Sequence, residues 1–73
     1  MLYDNLDAEI GARICSLKEN AGMSVDQLAR ELDVTPMMID LIEKGERGVT
    51  RVMLLLLKDV FKVSADYLLT GKE

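Results

Sequence analysis

The stretch "SVDQLARELDVTPMMIDLIEKGERG", Ser24 to Gly48, decides how the chain is read. Ser24 stands three residues before Gln27, the spacing of a capping box. The serine oxygen accepts from an otherwise unpaired amide at the start of a helix, and the glutamine side chain reaches back to the serine amide. The helix that follows buries Leu28 and Leu32. Only "DVT", Asp33 to Thr35, separates it from the next start signal. Thr35-Pro36 is an N-cap followed by proline at the first helical position, where the missing N–H costs nothing. This next helix runs to about Lys44 and ends at Gly45. Two short helices so tightly joined form a helix-turn-helix unit over about residues 24–44.

Outward from that unit, every start and stop signal is helical. Leu6, Ile10, Ile14, Leu17 and Ala21 recur at intervals of three and four, the stripe of an amphipathic first helix. Asp7 and Glu9 suit its N-terminal end, and Gly22 stops it. Thr50 caps a fourth helix reaching about Phe61. Ser64 caps a short fifth, "ADYLL", which Gly71 ends. Without strand pattern, repeat or low-complexity tract, the expected fold is a compact all-α, five-helix domain occupying residues 1–73.

Composition narrows the function classes. The chain has 73 residues, 49% of them hydrophobic, enough for one small core. Its one cysteine, Cys15, excludes an internal disulfide and suits a reducing setting. There is no histidine to act as its base, no metal-ligand spacing and no glycine-rich phosphate loop, so neither an enzyme nor a cofactor is expected. The longest apolar run, Val52 to Leu57, is far too short to cross a membrane. The opening "MLYDNLDAEIGAR" lacks the basic start and apolar middle of a signal peptide. A cytoplasmic protein is expected. With 13 acidic against 9 basic groups the net charge is −4, which lowers the expectation of binding phosphate backbones unless a local patch supplies it.

From about Glu9 to Gly71 the chain resembles the Cro/phage-repressor (Xre-like) helix-turn-helix family. The matching features are Ile10-Gly11 and Arg13-Ile14, then Gly22-Met23-Ser24, Leu28-Ala29 and Val34-Thr35. Ile39, Ile42-Glu43 with Gly45, Arg47, Val63-Ser64 and Asp66 to Leu69 complete the set. The resemblance implies a lambda-repressor-like fold and a dimer on double-stranded DNA, its third helix in the major groove. The DNA-facing set then becomes Thr35, Pro36, Met37, Met38, Asp40, Leu41, Lys44 and Arg47, with Arg47 directed at phosphate. It also implies an ion pair between Glu43 and Lys18 that fixes how the helices sit.

The third helix departs from the family habit. At about 100° per residue, with Ile39 and Ile42 inward, Met37 and Leu41 point away and Met38 and Asp40 take the flanks. The base-reading positions fall on Pro36, Met37 and Leu41, none able to form a bidentate hydrogen bond to a base edge. Apolar side chains can still touch a thymine methyl group. Val25 replaces the glutamine that commonly contacts phosphate in the family. Lys44, Arg47 and Arg51 remain as electrostatic candidates, whereas Arg30 reads as a solvated charge.

Helix four, "RVMLLLLKDVF", is apolar nearly all round. Leu54, Leu57 and Phe61 are expected to face the core, with Leu55 at its edge and Lys58 reaching outward along its stem. Val52, Met53 and Leu56 would then face a second subunit. Two functions follow: a dimeric DNA-binding transcriptional regulator, and, as the alternative, an interaction module binding a protein partner through Met37, Met38 and Leu41.

Overall fold

The computed structural model describes residues 6–72. Five helices follow in order: α1 Leu6–Asn20, α2 Val25–Leu32, α3 Pro36–Glu43, α4 Arg51–Phe61 and α5 Ala65–Thr70. No strand occurs among the described residues. The leader-peptide reading falls partly on residues 1–5, outside that range. No helix among the described residues is long and apolar enough to cross a membrane.

The helices begin where local chemistry supplies acceptors. Ser24, Thr35, Thr50 and Ser64 each accept a backbone N–H three residues on, at 3.0, 3.2, 3.1 and 3.0 Å. The Ser24 amide also donates to Gln27 Oε1 at 3.3 Å, closing the capping box. Each such cap stabilises its helix by about 1 kcal/mol, a large share of what a domain this size can hold.

The core draws on every helix: Ile10 and Ile14 of α1, Leu28, Ala29 and Leu32 of α2, Ile39 and Ile42 of α3, Met53 and Leu57 of α4, and Leu68 of α5. Helix α1 packs on α3 and α5, α2 on α3 and α4, and α4 on α5. The α-carbon radius of gyration, 11.2 Å, matches the ~11 Å expected of a compact chain this long. At the C-terminal end, Arg13 Nη1 donates to the Leu68 carbonyl at 3.0 Å, fastening α5 to α1.

One expectation about the core is corrected. Met53 is buried, only 6% exposed, and lies in the core with Leu57, so it is no candidate for a subunit contact. Leu54 and Phe61 are half-buried. Leu55, expected at the core edge, is 55% exposed, and Val52 is 64% exposed. Met53 and Leu57 lie one turn apart on one side of α4, and Leu55 lies midway between them on the opposite side. The helix has turned relative to the expected phase because α2 and α5 cover it from two directions. With an apolar helix, those neighbours choose the inner face.

Candidate nucleic-acid interface

The unit that could meet DNA is α2, its turn and α3. Its turn depends on Asp33, which takes a left-handed conformation with φ 57°. Aspartate tolerates that region better than most residues, though glycine does so at no steric cost. With Asp33 so placed, the Val34 amide donates to the Ala29 carbonyl at 2.9 Å, closing the C-terminus of α2 and turning the chain towards Thr35. The left-handed residue was not foreseen from sequence; the signal was the three-residue link, which leaves no room for a gentler reversal.

Helix α3 is held from behind. Ile39 and Ile42 are buried against α1 and α2. A Cβ at Gly11 would overlap the Ile42 carbonyl oxygen and lie 3.1 Å from that of Glu43, so only glycine permits this approach of α1 to α3. Beyond the crossing, Lys18 Nζ sits 3.1 Å from Glu43 Oε1 and 3.0 Å from Oε2. The ammonium spans both oxygens, but only Oε1 has hydrogen-bond geometry; buried Oε2 is held by charge alone. Both side chains are nearly covered, at 9% and 12% exposure. A buried pair of this kind fixes relative orientation, whatever its net contribution to stability.

The outer face of α3 is less apolar than its sequence suggests. Met37 is 72% exposed, whereas Met38 is half-buried and packs against the core, and Leu41 is half-buried. Of the expected three-residue apolar patch, Met37 is the most open member, with Met38 and Leu41 partly covered. Thr35, Pro36, Asp40, Lys44 and Arg47 are exposed. Thr35 uses its hydroxyl on the Met38 amide, so its first task is capping. Lys44 bridges Asp40 at 3.3 Å, each side chain 59% exposed; an open pair four residues apart is worth only about 0.3–0.5 kcal/mol, which a phosphate could outbid. Among the described residues no carboxylate bridges Arg47 or Arg51. Among exposed side chains from α2 to the start of α4, Asp26, Glu31, Asp33, Asp40 and Glu46 accompany Arg30, Lys44, Arg47 and Arg51, so this stretch carries no excess of positive charge.

Cys15 offers no chemistry to this face. It donates to Glu19 Oε2 at 3.6 Å. Burial pushes its thiol above the ordinary value, the carboxylates of Glu43 and Glu19 and that hydrogen bond push it further, and Lys18 opposes them. Among the described residues no group of three acidic, cysteine or histidine side chains could hold a metal.

Five helices around a tight helix-turn-helix define the class of fold. The helix-turn-helix family profile matches residues 16–68, and the chain belongs to that family. It is 35% identical over 57 residues to the HTH-type transcriptional regulator PrpR of Mycobacterium tuberculosis. That match takes in 78% of this chain but 12% of the relative, so the chain spans about an eighth of that protein's length. The crystal structure of the restriction-modification controller protein C.AhdI from Aeromonas hydrophila superposes with a TM-score of 0.77, over 85% of this chain and 94% of that one. At 24% identity, this likeness shows the fold.

Proposed function

We propose that the chain is the DNA-binding unit of a transcriptional regulator, acting in the cytoplasm as a dimer with α3 in the major groove. The observation that carries this reading is a helix-turn-helix braced on its inner side by Gly11 and the Lys18–Glu43 pair, with the start of α3 left open. Family membership and the transcriptional regulator among its relatives support it. In this reading Thr35, Pro36, Met37, Asp40 and Leu41 approach the base edges. Met37 contacts a thymine methyl group and Asp40 can accept from a cytosine amino group. Arg47 and Lys44 meet the phosphates, Lys44 exchanging Asp40 for the backbone. Met38 takes a supporting place beneath that surface.

Selection from a pool of random duplexes, at low and at physiological salt, tests the reading. It predicts an enriched palindrome with half-sites about 34 Å apart that persists at physiological salt. Arg47→Ala should weaken binding to all sequences and lower the salt slope by about 1 per protomer. Binding only at low salt, with no enriched sequence, refutes specific regulation by this unit.

A further inference from the structure

The outer side of α4 carries a pattern that the DNA-facing surface does not use. Arg51, Leu55 and Asp59 are all exposed and spaced four residues apart, so they form one i±4 ridge along the helix. Leu55 sits at its midpoint, opposite the buried Met53 and Leu57. Val52 and half-buried Leu56 form the adjacent ridge, making the groove beside Leu55 apolar. The positive end of the Arg51 ridge and its negative end lie about 12 Å apart along the axis, too far to neutralise each other within one helix.

We propose that this ridge is the contact between two copies of the chain, packed antiparallel across a two-fold axis that passes through the groove beside Leu55. The proposal deepens the dimer in the function above by naming its surface. A ridge that is positive at one end, apolar at its centre and negative at the other is complementary to itself when reversed, as an isologous interface requires. Packing i±4 ridges against each other is the commonest way for helices to meet, at about −50°. In that arrangement Arg51 of each copy lies beside Asp59 of the other. Leu55 enters the groove lined by Val52 and Leu56.

Sedimentation equilibrium of the chain without DNA tests this independently of DNA recognition, with circular dichroism to verify folding. The wild type should dimerise reversibly. Leu55→Lys, at an exposed site that leaves the core intact, should raise the dimer dissociation constant at least about 100-fold, since two leucines leave the contact. Arg51→Asp and Asp59→Arg should each weaken dimerisation about 10-fold by opposing like charges, and the double exchange should return it to within about 3-fold of wild type. A wild type monomeric at millimolar concentration, a folded Leu55→Lys that dimerises normally, or a double exchange without recovery each overturns the proposal. A dimer that binds no specific DNA would leave this contact standing and remove the regulator function instead.

Discussion

Replacing Gly11 by alanine sets two physical effects against each other, and the sign of the result decides between them. In the middle of α1, alanine is favoured over glycine by about 0.8–1.0 kcal/mol of helix propensity. The structure predicts the opposite outcome. The new methyl would overlap the Ile42 carbonyl oxygen and crowd the Ile42 carbonyl carbon and Glu43 oxygen, each at 3.1 Å. A carbon normally stays about 3.3 Å or more from a carbonyl oxygen, so α1 and α3 must part by roughly 1 Å. Backbone cannot swing aside as a long side chain can, and α3 is pinned by buried Ile39 and Ile42. Overpacking of this severity costs about 3 kcal/mol, leaving a net loss of about 2 kcal/mol after the propensity gain. For so small a domain that lowers the melting temperature by about 8–16 °C. Thermal and urea denaturation followed by circular dichroism would measure it. A Gly11→Ala protein as stable as wild type, or more stable, refutes the close crossing of α1 and α3.

Three further changes probe other parts of the fold. Asp33→Gly relieves a left-handed aspartate and removes a negative charge from the C-terminal end of α2, so it should stabilise by about 0.5–1 kcal/mol; a loss of stability in urea would show that the aspartate side chain has a structural task. Lys18→Met or Glu43→Leu alone should each cost about 3–5 kcal/mol by leaving one charge covered and unpaired, whereas the double variant should recover most of that loss; additive losses in a double-mutant cycle would deny the coupling. Cys15 has a raised thiol pKa, so its reactive thiolate becomes populated only above the usual pH range. It should react more slowly at pH 8 than a free cysteine with a thiol reagent, and its folded-state stabilisation should hold below the ordinary thiol pKa and fade as pH rises through the raised one. A rate equal to that of free cysteine would contradict this.

What could be read from the sequence is what acts over three or four residues. The bonds made by Ser24, Thr35, Thr50 and Ser64 each join a side chain to an amide three positions away, so the helix starts were legible without any knowledge of packing. The orientation of α4 was not. A helix with leucines on nearly every side has no polar face to set its phase, and the choice of Met53 over Leu55 for the interior was made by α2 and α5. Met38 misled for a related reason: a flexible side chain on the flank of α3 can reach the core from a position that a wheel places near the surface. Gly11 and the Lys18–Glu43 pair could be marked through family likeness, but their cause is contact between α1 and α3 across more than twenty residues of chain. The turn at Asp33 falls between these cases, local in extent but unusual in conformation.

The open start of α3 and the ridge on α4 make one joint demand on DNA binding. A single half-site would meet few groups able to release counterions: Arg47, and a Lys44 that must first leave Asp40. In the proposed docking, base contacts through exposed Met37 would add shape and little hydrogen bonding. On the proposed reading, useful affinity comes from holding two such units together, which raises avidity by about 10²–10⁴ without any new DNA contact. On this reasoning Leu55→Lys, though remote in sequence from α3, should lower affinity for a selected palindrome by that factor while leaving binding to an isolated half-site unchanged. Fluorescence anisotropy on full-site and half-site duplexes, at protein concentrations below the variant's dimerisation range, would separate the two. Equal losses on both duplexes would mean that Leu55 acts through the unit itself, and the division of labour between α3 and α4 would fall.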